Sequence, residues 1–119
     1  MKSKKVLLVD DNAMVLQLTE VMLQTLTHQV TAFSCAEKAL EHYQSNSAGF
    51  DLIITDQSMP KMTGVQLATM MLELNNEVPI IIYTGHSKHE IEDQIKSDSC
   101  IVLEKPFNLD QLQEAIDSL

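Results

Sequence analysis

Five residues of this chain could do chemistry together: Asp10, Asp11, Asp56, Thr84 and Lys105. Each stands at, or within two residues of, the end of a short apolar run. Three carboxylates gathered on one rim repel one another and need a counter-charge. With no Cys or His among them the donor set is all oxygen, which suits a hard cation, Mg²⁺ with retained waters above all. Lys105 offers a compact positive charge for an anion held beside Asp56, and Thr84 offers one hydrogen-bond donor. Such a set is equipment for phosphoryl transfer, where in-line positioning and charge neutralisation count for more than acid–base groups. A carboxylate can itself be the nucleophile and form an aspartyl phosphate, and it needs no base to deprotonate it. Taken singly, each of these residues reads as a solvated loop residue. Their common place at strand ends is what outweighs that reading.

The elements that must position them follow from periodicity. Val6–Val9, Leu52–Ile54, Pro79–Tyr83 and Cys100–Leu103 are short branched apolar runs bounded by turn signals, hence buried strands. His28–Phe33 alternates apolar and polar residues and reads as an edge strand. Five helices are expected between and after them. The first, over 13–27 and capped by Asn12, carries a stripe of Val15, Leu18, Met22 and Leu26. The second opens on a Ser34/Glu37 capping box and buries Ala36, Ala39, Leu40 and Tyr43. The third carries Leu67, Met70, Met71 and Leu74. The fourth, from Ser87 with Glu90 as a second capping box to Lys96, has only Ile91 and Ile95 to hold it. The fifth, capped by Asn108, presents Leu109, Leu112, Ala115 and Ile116.

Strand and helix thus alternate five times, which calls for an α/β fold: a doubly wound five-stranded parallel sheet with helices on both faces. Right-handed crossovers, with the second and fifth strands at the edges, give the order 2-1-3-4-5. Ligands bind such sheets outside the carboxyl ends of the strands where the winding reverses, here between the first and third. That is the rim on which all five residues fall.

Composition bounds the function classes. The 119 residues read as one domain, 1–119, and 45% hydrophobic content is enough to fold it. Acidic residues outnumber basic ones 17 to 8, and the net charge of −9 disfavours direct binding to nucleic acid or anionic membrane. The apolar run near the N-terminus is too short for a signal peptide or a membrane span. Cys35 and Cys100 are not spaced as a metal or redox motif and are expected to be reduced, which points to the cytoplasm.

The chain resembles, over nearly its whole length, the receiver domain of two-component response regulators, with its flavodoxin-like fold. The residues that carry the likeness are Asp10-Asp11 after the first strand, Asp56 in D-Q-S-M-P-K-M-T-G, Thr84 in Y-T-G and Lys105 in E-K-P-F. The resemblance implies that Asp56 is the phosphorylation site, taking its phosphoryl group from a phosphohistidine on a sensor histidine kinase or phosphotransfer protein. It implies Mg²⁺ held directly by Asp11 and Asp56, with Asp10 acting through water and the Ser58 backbone carbonyl as a further ligand. Thr84 and Lys105 would hold the phosphoryl oxygens, the Lys105–Pro106 bond would be cis, and residues 87–119 would form the output face. The protein would be a signalling phosphoacceptor and not an enzyme in the ordinary sense, either standing alone or cut from a longer regulator. The sequence departs from the family at Val102, where an aromatic is usual, and at Ser97–Cys100, where Gly-Ala is usual.

The alternatives are weaker on the residues. A pseudo-receiver acting without phosphorylation has no need of all five site residues. An aspartate-nucleophile phosphatase wants a second acid where Ser58 stands, and a flavin binder wants a phosphate loop where Asp10-Asp11-Asn12 would repel the phosphate. His86 and His89 are at best a remote metal pair, though His86, two residues past Thr84, lies close enough to influence hydrolysis of an acyl phosphate.

Overall fold

A computed structural model describes residues 3–95 and 97–119. In chain order the elements are β1 (Lys5–Val9), α1 (Ala13–Thr25), β2 (Gln29–Phe33), α2 (Ala36–Ser45), β3 (Leu52–Asp56), α3 (Gly64–Leu74), β4 (Ile80–Thr84), α4 (Lys88–Glu92), β5 (Cys100–Glu104) and α5 (Leu109–Asp117), with one 3₁₀ turn at Ser47–Gly49. All strand pairs are parallel and the sheet order is β2-β1-β3-β4-β5, as the alternation of elements predicts. The fold is the expected doubly wound, flavodoxin-like α/β sheet.

Both faces of the central strands are buried, which is why β1, β3 and β4 are continuous apolar runs. Successive side chains point to opposite faces. Leu7, Val9, Ile53, Ile80 and Ile82 meet Ala39 and Tyr43 of α2, Leu67 and Met71 of α3 and Ile91 of α4. On the other face Val6, Leu8, Leu52, Ile54, Ile81 and Tyr83 meet Leu23 of α1 and Leu112 and Ile116 of α5.

Several details differ from the periodicity. In α1 the buried residues are Thr19 and Leu23, whereas Leu18 is 62% exposed. Val15, Met22 and Leu26 of the expected stripe do pack on the core, and the polar Thr19 takes the place that periodicity gave to Leu18. In α3, Met70 and Leu74 are exposed and the small Ala68 is buried beside Leu67 and Met71. Neither expected capping box closes: the N-cap of α2 is Cys35, one residue past Ser34, and Ser87 caps α4 with no side-chain bond. That fourth helix has five residues, with Ile91 buried and Ile95 packed from beyond its end; the expected end at Lys96 lies outside the described residues. Ahead of β5 a turn forms in which Ser97 Oγ accepts the Ser99 N–H at 3.1 Å. Both cysteines are free.

Candidate functional site

The rim at the carboxyl end is assembled strand by strand. Directly after β1 comes Asp10, which is fully buried, and whose two carboxylate oxygens are both engaged. Oδ1 accepts the Asn12 N–H at 2.9 Å and Oδ2 accepts the Tyr83 hydroxyl at 2.6 Å. Asn12 in turn caps α1, its side-chain oxygen accepting from the N–H groups of Met14 and Val15. Asp11 stands between these anchors and is exposed.

β3 ends at Asp56, only 4% exposed. Asp10, Asp11 and Asp56 each offer a carboxylate oxygen, and these oxygens lie within 4.8 Å of one another. Lys105 Nζ is 3.1 Å from Asp56 Oδ1 and lies over the Tyr83 ring, 5.1 Å from its centroid. The Lys105 N–H donates to the Thr84 carbonyl at 2.8 Å, tying the ends of β4 and β5, and the Lys105–Pro106 bond is cis. Thr84 is buried; its Oγ1 accepts the His86 N–H at 3.0 Å, which leaves the hydroxyl proton free to be donated.

Electrostatics follow from this packing. Burial pushes the Asp56 pKa above the ordinary carboxylate value; the Lys105 hydrogen bond opposes that and the Asp10 charge adds to it. Burial, then the hydrogen bond to Asp10, holds the Tyr83 pKa far above the usual phenol value, so Tyr83 remains a donor. Three carboxylates facing one ammonium leave an anionic excess with oxygen donors only. That donor set fits a hard divalent cation.

The loop leaving Asp56 is clipped to α3. The Gln57 N–H donates to the Tyr83 carbonyl at 2.9 Å, its side-chain oxygen accepts the Val65 N–H at 2.9 Å, and its carbonyl accepts the Gly64 N–H at 3.0 Å. A Cβ on Gly64 would lie 2.5 Å from the Asp56 carbonyl oxygen, so only glycine fits there. Thr63 and Gln66 close a reciprocal capping box that fixes the start of α3. Ser58 is exposed on this loop, two residues past Asp56.

The structure therefore brings Asp10, Asp11, Asp56 and Lys105 into one pocket, with Thr84 beside them at the end of β4. His86 and His89 are exposed, and His89 Nδ1 is 3.6 Å from Glu92. Val102 is buried in the core beside Ile82. Three residues of the site were not singled out from sequence for what they do: Tyr83, Gln57 and Gly64. For Tyr83 a signal existed, since a phenol hydroxyl directly after three isoleucines of a buried strand needs an acceptor. No helix among the described residues is long and apolar enough to cross a membrane.

Comparison with known proteins agrees with this geometry. The family model for the response regulator receiver domain matches residues 6–117. The two-component response regulator ARR10 of Arabidopsis thaliana is 33% identical over 110 residues, covering 92% of this chain and 20% of that protein. The chain thus spans about a fifth of the length of such curated relatives. Among solved structures, a response regulator receiver protein from Sinorhizobium medicae WSM419 is 32% identical with a TM-score of 0.87, covering 98% of this chain and 94% of that one. The chemotaxis protein CheY4 of Vibrio cholerae is 28% identical with a TM-score of 0.86 and 98% coverage of both chains. Sequence, topology and the family match converge, and this chain belongs to the response regulator receiver domains.

Proposed function

We propose that Asp56 accepts a phosphoryl group from a phosphohistidine on a sensor histidine kinase or histidine phosphotransfer protein, and that residues 1–119 act as one receiver unit in switching or relaying the signal. The observation that carries this reading is the surroundings of Asp56: Lys105 Nζ at 3.1 Å, and the Asp10 and Asp11 carboxylates close by. The three aspartates give the all-oxygen donor set that Mg²⁺ takes. Asp11 and Asp56, with the Ser58 carbonyl, would hold it, and Asp10 would act through water because both its oxygens already accept hydrogen bonds. A cation held there would supply neutralising charge for the transferring group.

The Asp56 carboxylate attacks phosphorus, the P–N bond to the donor imidazole breaks, and its electron pair stays with the ring nitrogen. Lys105 pairs with the phosphoryl oxygens in place of the Asp56 oxygen it now faces. Thr84 donates its free hydroxyl proton to the same group. The downstream partner docks on the face formed by residues 87–119. There α4 is a five-residue helix with no side-chain cap and one buried residue, Ile91, so it is the element most easily moved.

Incubation with acetyl phosphate, with and without Mg²⁺, followed by intact-mass measurement tests the reading. One phosphoryl group should be added in the presence of Mg²⁺ and none to Asp56→Ala. No added mass in wild type, or equal modification of the variant, would overturn it and leave a pseudo-receiver that binds partners unphosphorylated.

A further inference from the structure

Tyr83 lies at the centre of the rim, yet nothing in the phosphoryl-transfer reading assigns it a part. Its side chain is fully buried, and its hydroxyl donates to Asp10 Oδ2 at 2.6 Å. The ring lies under Lys105 and packs against Phe107, centroids 5.6 Å apart, so the side chain is held from three sides. The Asp10 carboxylate is therefore clamped between a main-chain donor on its own loop and a phenol on a different strand.

We propose that Tyr83 is a specificity-determining residue of the cation site: by holding Asp10 Oδ2 it keeps that carboxylate from direct ligation. The site then remains one of two open carboxylates, Asp11 and Asp56. This rests on the reading of the aspartate cluster as a cation site.

The chemistry gives the direction. A site with few protein oxygens leaves room for retained waters, which suits Mg²⁺, while a third direct carboxylate favours the larger Ca²⁺, which takes six to eight oxygens in flexible geometry. Removal of the hydroxyl also strips a charge-assisted hydrogen bond from the cation-free pocket, where the three carboxylates already repel. Both effects tighten cation binding when Tyr83 loses its hydroxyl, and Ca²⁺ gains more. A merely structural role would give the opposite sign, since loosening the pocket weakens binding of either ion.

Isothermal titration calorimetry with Mg²⁺ and with Ca²⁺ on wild type and Tyr83→Phe is the test, as Phe keeps the ring under Lys105 and removes only the hydroxyl. Loss of one hydrogen bond to a charged group should raise Ca²⁺ affinity about tenfold and Mg²⁺ affinity by less, lowering the Ca²⁺-to-Mg²⁺ Kd ratio several-fold. Adding Asp10→Asn to Tyr83→Phe should abolish the gain. Tyr83→Met, which also lacks the hydroxyl, repeats the measurement should the Phe variant lose its cooperative melt. An unchanged ratio, weaker binding of both ions, or a gain that survives Asp10→Asn would overturn the assignment. If wild type binds neither ion in a manner abolished by Asp56→Ala, the cation site itself fails and the Tyr83 assignment falls with it.

Discussion

At the amino ends of the strands, Asp51 and His28 each accept a main-chain N–H: Lys5 N–H to Asp51 Oδ2 at 2.9 Å, and Lys4 N–H to His28 Nδ1 at 3.1 Å. At the carboxyl ends, Asp10, Asp11 and Asp56 crowd their oxygens within 4.8 Å of one another, with the Lys105 ammonium on Asp56. The same residue types serve opposite purposes. At the amino end a polar side chain satisfies a backbone donor that the sheet leaves unpaired, and the fold gains from it. At the carboxyl end crowded like charges raise the energy of the unliganded protein, an energy that a bound cation would recover. Polar side chains thus serve stability at one end of the strands and responsiveness at the other.

The largest break in this division should come from Gly64→Ala. The added methyl would meet the Asp56 carbonyl oxygen at 2.5 Å and the Gln57 Cα at 3.0 Å, both backbone atoms that cannot swing aside. Overpacking of this kind costs about 1–3 kcal/mol in denaturant unfolding. Because the displaced atoms belong to Asp56 itself, phosphorylation by acetyl phosphate should slow more than tenfold, beyond what lost stability explains. If the variant melts lower yet reacts at the wild-type rate, the clip between the loop and α3 does not position Asp56.

How much of this was legible in the sequence depends on the kind of constraint. The alternation of apolar runs and helices carried the topology, because strands buried on both faces read as nearly continuous apolar runs. The five chemistry-bearing residues were legible because parallel topology forces strand ends onto one rim. What escaped were features set by close approach in three dimensions. Gly64 reads as a turn signal, and only the proximity of the Asp56 carbonyl shows why no side chain fits. Tyr83 and Asp10 are 73 residues apart, and no periodicity links them. The stripe of α1 was right at Val15, Met22 and Leu26, which pack on the core, and wrong at Leu18, because the polar Thr19 beside it takes the buried place.

A smaller effect is expected at the amino end. Thr27 follows α1 with φ 71°, the left-handed region, which a β-branched residue adopts at a cost. Its N–H donates to the Gln24 carbonyl at 2.9 Å and the His28 N–H to that of Leu23 at 3.0 Å, the helix-ending pattern that glycine fills best. Thr27→Gly should stabilise the protein by about 1 kcal/mol in denaturant unfolding, with no change in phosphorylation rate. A change in that rate would mean that the two ends of the sheet are coupled and not separable.

The smallest effect separates the two ends by the sign of their response to acid. His28 is 5% exposed, and burial, then the Lys4 charge, lowers its pKa against a weaker upward pull from Asp117. The folded protein therefore binds the His28 proton less readily than the unfolded chain does. The stability contributed by neutral His28 is fully present above the unfolded value, about 6.5, and is lost as pH falls through it toward the folded value. Asp56 has the opposite sign: its pKa is pushed up, so protonation favours the folded state and its contribution grows as pH falls. His28→Asn keeps an acceptor for the Lys4 N–H and removes the titration. Thermal melts from pH 7.5 downward should show wild type losing stability relative to His28→Asn below about pH 6.5. Asp56→Asn, followed over the same range, should show the difference from wild type narrowing as the pH falls. Parallel melting curves for wild type and His28→Asn would mean that the Lys4–His28 bond survives protonation, and the amino end would then lose its claim to be the acid-sensitive staple of the sheet.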